Sequence, residues 1–269
     1  MANGPRRVMG IEFAHPIGVA AGYDRDGSQL AELSAAGFAF VEVGTINVSA
    51  GAGAIAMLQP IVRNLACHRL QSAPACGRRG AVIGVSIGSQ RDELDTVAAA
   101  EIAVGAHALT LLADFLVVNL SRPGSACRDG VAEGRALQTL LERMRAQVDA
   151  TGRTLSRRIP LLVKVAALPD DAQSVPEAAG RAAALGYDGV VAAFERWPSV
   201  ESICGRISRL RERLEGTALI AVGGVRTADT AGRYLRAGAD LVQVYSALAE
   251  SGPAIADMLL AATTGPTRM

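Results

Sequence analysis

The chain has 269 residues, half of them hydrophobic, with 27 cationic against 26 acidic side chains; that length fits one large domain or two small ones around a sizeable core. A net charge of +1 without a basic block gives no electrostatic support for binding nucleic acid or an anionic membrane surface. No apolar run is long enough to cross a bilayer, and the opening MANGPRRVMGIEFAHP lacks the apolar centre of a secretion signal, so a cytoplasmic protein with no membrane anchor is expected.

In chain order, the first strand candidates are IGVAAG (17–22) and AFVEVGT (39–45). Residues 46–80 then break the rhythm. They are Gly/Ala-rich, carry NLACHRLQSAPACGRRG and show no convincing strand, so an active-site loop around 46–80 is expected. AVIGVSIG (81–88), a helical stretch at 95–113 and FLVVNLS (115–121) follow, then a helical stretch at 134–150 and PLLVKVA (160–166). DGVVAAF (188–194), ALIAVGG (218–224), the helical TADTAGRYLRAG (227–238) and LVQVYSA (241–247) complete the series. Thr227 and Asp229 read as start signals for that last helix and Gly238 as its stop. Most of the eight strand runs are apolar throughout, as parallel strands buried on both faces must be. Eight β–α units in one chain predict a single (β/α)8 TIM barrel spanning 1–269, with an open doubly wound sheet as the alternative. A lone GxxxG at Gly84–Gly88 is too weak to stand as a dinucleotide fingerprint. The four cysteines show no CxxC pairing, so no metal site is expected and reduced thiols are the default.

One residue stands apart. Of the 27 cationic side chains, 26 are arginine, and the single lysine is Lys164, inside the apolar run 160–166. A compact ammonium in such a strand can sit under a ring or beside one oxygen, as a guanidinium cannot. The alternative is an amine that merely snorkels to the strand end.

Catalytic groups of such barrels lie at strand C-termini. Those ends present Ala20-Ala21-Gly22, Thr45, Ser86, Asn119, Lys164, Gly223-Gly224 and Tyr245-Ser246. Gly223 and Gly224 precede a helix, where bare backbone amides suit an anion, and Tyr245 and Ser246 lie on the adjacent strand. Together they predict a phosphate corner, although the glycines could simply ease tight turns.

HPIGVAAGYDRDG, GFAFVEVGT, GVSIG, ADFLVVNLSRPGS, LLVKVA and IAVGGVRTADTAGRYLRAGADLVQVYSAL together resemble the dihydroorotate dehydrogenase family, and more closely its membrane-associated, quinone-using class. The resemblance runs from about Pro16 to Ile255 and implies an FMN-binding (β/α)8 barrel. It places Ala20, Ala21, Gly22, Thr45 and Ser86 against the flavin, Ser86 standing where the family usually has Asn. Asn119 would touch flavin and substrate. Lys164 would stabilise the charge that appears at the flavin N1/O2 edge on reduction. Gly223, Gly224, Tyr245 and Ser246 would hold the FMN phosphate.

The substrate half departs from that pattern. The family's NxSxPN motif carries a Ser or Cys base before Pro, whereas this chain reads Asn119-Leu120-Ser121-Arg122-Pro123-Gly124. Arg122 cannot deprotonate a substrate near neutral pH. Gly124 replaces an Asn, Phe194 stands near another, and Arg25 replaces a Lys yet retains a carboxylate-binding fork. Ser121, Ser125, Cys67 and His68 are alternative bases, His68 foremost, with a solvated loop histidine as its plain alternative. A family GGLSG loop after the sixth strand run is missing, and with strand structure expected so early the N-terminal helical extension of the quinone tunnel is expected to be absent. The expectation is an FMN-dependent oxidoreductase with Arg25, Asn119 and Arg122 facing a small anionic or carbonyl-bearing substrate. The alternatives are a genuine dihydroorotate dehydrogenase, a non-catalytic flavin- or phosphate-binding scaffold, and a Schiff-base lyase on Lys164. A homodimer is compatible with the barrel ancestry.

Overall fold

A computed structural model describes residues 5–48, 53–72, 80–91, 94–121, 131–168, 175–195 and 197–261. An antiparallel hairpin comes first, β1 (Arg6–Val8) and β2 (Ile11–Phe13). Met9 and Gly10 at its tip both have positive φ, 56° and 82°, the two-residue geometry that follows the twist of a tight hairpin. Eight parallel strands then close on themselves: β3 (Ile17–Val19), β4 (Phe40–Asn47), β5 (Val82–Gly88), β6 (Phe115–Leu120), β7 (Leu161–Ala166), β8 (Gly189–Ala193), β9 (Ala218–Val222) and β10 (Leu241–Val244), with β10 pairing back to β3. The connecting helices are α1 (Leu30–Ala35), α2 (Gly53–Gln71), α3 (Thr96–Leu109), α4 (Val131–Thr154), α5 (Glu177–Ala184), α6 (Val200–Arg213) and α7 (Ala228–Arg236), followed by α8 (Ser246–Ser251) and α9 (Ile255–Ala261). Among the described residues no helix is long and apolar enough to cross a membrane.

Strand alternation splits the core in two. Val43, Val85, Val118, Val163, Ala192, Leu219 and Val244 face the helices in the outer cluster. Phe40, Phe115, Val117, Leu162, Val191, Ile220 and Leu241 fill the barrel interior, with Phe13 of the hairpin plugging its N-terminal end. Two glycines make room for the rings: a Cβ at Gly18 would lie 2.4 Å from Phe40, and one at Gly84 would lie 2.2 Å from Phe115. Following the register round the barrel gives interior layers drawn from alternate strands. Glu42, Val117, Val191 and Gln243 share one layer, and Ala20, Ser86, Lys164 and Val222 form the next toward the strand C-termini.

The N-terminal ends of the strands are stitched by one repeated device. Asp114, Asp188 and Asp240 each precede a strand, and each accepts from an amide in the first two residues of the strand before it: Ile83 at 2.8 Å, Leu161 at 2.9 Å and Leu219 at 2.7 Å. The same aspartates donate their own amides to the carbonyls of those residues at 2.7–2.8 Å. An arginine braces each carboxylate, Arg69 at 2.8 Å, Arg145 at 3.1 Å and Arg211 at 3.3 Å, and the Asp188 side chain, the most buried of the three, is paired as burial requires.

Within the loop expected around 46–80, residues Gly53–Gln71 form a helix. α2 runs for 19 residues despite Pro60 and buries Ala54, Leu58, Ile61, Leu65 and His68 at spacings of three and four. Its Ala/Leu/Met/Arg content supports a helix; the glycines at its start and Pro60 masked that signal. His68 is consequently neither a lid base nor a solvated loop histidine. It is buried under α2, 3.4 Å from the Ser72 hydroxyl, and burial lowers its pKa below the ordinary imidazole value.

Candidate active site

A cavity of about 530 Å³ opens at the C-terminal ends of the barrel strands. Ala20, Ala21 and Gly22 after β3 form one side, Gly223, Gly224, Tyr245 and Ser246 the opposite corner, and Lys164 projects to it from β7. Eight of the residues expected at the site are therefore gathered round one space. The backbone is shaped for it. Gly22, Gly223 and Gly224 have φ of 105°, 122° and 68°, which L side chains rarely adopt. A Cβ at Gly22 would stand 3.1 Å from the Tyr245 ring, and one at Gly223 would lie 2.4 Å from the Phe194 carbonyl oxygen. Tyr234, its phenol pushed up by burial, donates to the Gly223 carbonyl at 3.1 Å and fixes that turn from behind. Thr227 caps α7, accepting from the Thr230 amide at 3.2 Å. Arg226 grips Glu250 through two bonds of 2.5 and 2.6 Å, tying the turn after β9 to α8.

A polar cluster adjoins the cavity. The register of β4 against β5 shifts between Val43 and Ile46, and such an irregularity re-aims side chains. Thr45 accordingly meets interior groups: its hydroxyl lies 3.3 Å from Ser86 and accepts from the Asn119 amide at 2.6 Å. The Asn119 carbonyl accepts from the Ser121 amide at 3.0 Å and from its hydroxyl at 2.8 Å. Thr45 and Asn119 line a neighbouring crevice with Asn47, Ser89 and Arg91. Ser86 is buried. These three sit beside the cavity rather than on its wall, while Ser121 is on it.

Lys164 is 7% exposed and has neither a hydrogen-bond nor an ion-pair partner among the described residues. A desolvated ammonium without a partner, aimed into a cavity, is a group kept for a ligand. Gly-lined backbone at one end and a lone cation at the floor fit a planar ligand carrying an anionic group.

Arg25 lies on the rim, exposed, with its Nε 3.4 Å from the Gly22 carbonyl, and is not part of the cavity wall. It follows Asp24, whose buried carboxylate orders the turn by accepting from Gly27 at 2.9 Å and Gln29 at 3.2 Å. Arg122, Gly124 and Ser125 lie outside the described residues, as do Cys76 and Cys127. Phe194 lies on the cavity wall, and its ring also joins an aromatic cluster, 5.9 Å from Trp197 and 6.4 Å from Tyr234. Three wall residues are not marked in the sequence: Val222, Ala193 and, two positions after Ala193, Glu195, an exposed carboxylate. Strand alternation from Lys164's neighbour Val191 was the signal that could have found Ala193 and Glu195. No group of three or more metal-ligating side chains occurs among the described residues.

A closed parallel barrel with a glycine-cornered cavity at its C-terminal face defines the class, a (β/α)8 barrel with a ligand site where such barrels place theirs. The comparisons narrow it. A family model described as dihydroorotate dehydrogenase matches residues 199–262. The chain is 31% identical to the dihydroorotate dehydrogenase (quinone) of Flavobacterium lutescens, over 93% of this chain and 81% of that protein. It is equally 31% identical to that of Halorhodospira halophila, over 93% and 83%. The chain belongs to the dihydroorotate dehydrogenase family. A solved structure of the Eimeria tenella protein in complex with ferulenol shares the fold, with a TM-score of 0.76, 22% identity and coverage of 96% and 82%.

Proposed function

We propose that this protein is an FMN-dependent oxidoreductase acting on a carbon–carbon bond, of dihydroorotate dehydrogenase type, with an altered substrate half. The observation that carries the reading is Lys164, the one lysine, buried and without a partner at the floor of the cavity. When bound, FMN supplies the acceptor for a hydride. Lys164 holds a fixed positive charge where negative charge then accumulates, and needs no reorganisation to do so. Gly223, Gly224 and Ser246 offer backbone amides to the phosphate, and the Tyr245 ring packs over Gly22 to limit that end of the site. Asn119, its side-chain amide engaged by Thr45 and Ser121, backs the site from beside the cavity.

Three features support a changed substrate. Arg122 occupies the motif position of the base. Phe194 contributes its ring to the aromatic cluster and gives no polar group to a ligand. Glu195 brings a carboxylate to the wall, which opposes an anion and suits a neutral carbonyl-bearing ligand. Against this stands the second reading, genuine dihydroorotate oxidation, favoured by 31% identity spread over 93% of the chain. Anaerobic mixing of FMN-loaded protein with dihydroorotate, followed at the flavin band, separates them. Flavin that stays oxidised with dihydroorotate but is bleached by a neutral enone- or carbonyl-linked CH–CH substrate upholds the altered site. Rapid bleaching by dihydroorotate establishes the second reading.

A further inference from the structure

The barrel interior holds a second ionisable group that the flavin reading does not use. Among the described strand residues that face inward, Lys164 is the sole cation and Glu42 the sole anion. Glu42 is 0% exposed on β4. Its Oε2 accepts from the Gln243 amide at 2.5 Å, a side-chain bond joining β4 to β10 across 201 residues of sequence. Glu42 Oε1 and Gln243 Oε1, both buried, have no hydrogen-bond partner. The register puts this pair in the interior layer immediately beneath that of Lys164. Two acceptor oxygens without donors therefore lie in the layer next to the one that carries Lys164, whose ammonium has three donors and no direct partner.

Buried charges persist when they are compensated. Val117 and Val191, which complete the lower layer, and Ala20 and Val222, which flank Lys164 in the upper one, offer no polar side-chain atom. Ser86 is the only other polar member, and its hydroxyl is engaged with Thr45. We infer that Glu42 is a positioning residue for Lys164: its carboxylate, oriented by Gln243, is the countercharge that holds the ammonium at the cavity floor. In a low-dielectric interior this attraction acts beyond direct contact, and a bridging water can carry the hydrogen bonds. The consequence for the flavin is directional. Glu42 partly offsets the positive field of Lys164, so it restrains the reduced, more anionic cofactor from being overstabilised. The pair itself is independent of the flavin reading; only this consequence rests on it.

The single lysine allows a direct test. Protein grown with side-chain [15N]lysine gives one ammonium resonance, that of Lys164, without any cofactor present. In Glu42→Gln that resonance is expected to move, whereas a purely structural Glu42 would leave it in place. A stability cycle provides a check that does not depend on the single variant folding well. Lys164→Met strands the carboxylate, and adding Glu42→Gln in the same chain is expected to restore most of the lost urea midpoint. In FMN-loaded Glu42→Gln, titration against a reference dye is expected to favour reduced flavin by about tenfold, about 30 mV for a two-electron couple. An unmoved resonance together with additive midpoints overturns the proposal even if flavin binds normally. A moved resonance and a rescued midpoint in protein that takes up no FMN uphold the pair and overturn the flavin reading alone.

Discussion

Lys164 is the residue on which the site turns, and its role separates into testable parts. Replacing it with Met keeps the length and apolarity of the side chain while removing the charge. Loss of one preorganised electrostatic group in a desolvated site costs about 10²–10³ in rate. The flavin of K164M is expected to be reduced at least about 100-fold more slowly by substrate, in rapid-mixing experiments on FMN-loaded protein. Gly223 gives a second residue-scale prediction. At φ 122°, with a Cβ that would lie 2.4 Å from the Phe194 carbonyl, it has no room for a side chain. Gly223→Ala is expected to cost about 1–3 kcal/mol in urea unfolding and to abolish FMN uptake measured by fluorescence quenching. Residues of this kind were legible in the sequence because an unusual residue type marked them: one lysine among arginines, paired glycines before a helix. Glu42 was not, since its partner lies 201 residues away and an acidic residue in a strand run carries no local sign of what it faces. Thr45 was named from its place at a strand end, yet the register shift that turns it toward Asn119 leaves no mark in the sequence.

At the scale of elements, the barrel strands were readable because parallel strands buried on both faces are continuous apolar runs. The expected run 160–166 and the observed β7 (Leu161–Ala166) differ by one residue, and 218–224 outlasts β9 by the two glycines that turn the chain. α2 was lost to its glycines and Pro60, and the β1–β2 hairpin to its brevity, three residues a strand. The aspartate stitches at the strand N-termini likewise emerge only when neighbouring strands are paired. They carry the element-scale prediction. The Asp188 side chain is 3% exposed, and its carboxylate meets Arg145, Arg158 and the Leu161 amide. Asp188→Ala strands the Leu161 amide and leaves the largely buried Arg145 with Asp149 alone, and is expected to cost about 1–3 kcal/mol, read as a lowered urea midpoint. Its distance from the cavity predicts unchanged FMN affinity in whatever fraction stays folded.

The whole molecule responds to pH through two half-buried or buried histidines. His15 accepts from the Ile17 amide at Nδ1, 3.2 Å, and its Nε2 lies 2.7 Å from the Gly37 carbonyl, an arrangement that suits the neutral ring. Burial lowers the pKa of both His15 and His68 from the ordinary 6.5. The unfolded chain therefore takes up protons first as the pH falls. Stability is full above about pH 6.5, and is lost as the pH drops from 6.5 toward the depressed native values. Urea midpoints measured from pH 8 to 5 are expected to decline below about 6.5, and the decline to shrink in the His15→Gln/His68→Gln double variant. A flat profile in the parent would contradict this. Ordinary carboxylates titrate at about 4, below that window, and burial raises the Asp24 carboxyl, which opposes the decline. The fold as a whole was legible because eight apolar runs at β–α spacing admit few closed arrangements. The far wall of the cavity was less so, since Phe194 and Glu195, both on it, follow a short strand whose end leaves no mark in the sequence.

The most direct test of the account is the visible absorption spectrum of the purified protein, with FMN supplied, before and after dithionite. Oxidised-flavin bands that survive desalting and bleach on reduction are expected, with both effects lost in Gly223→Ala. Protein that stays colourless after incubation with FMN would contradict the flavin site and leave the cavity around Lys164 to a different ligand.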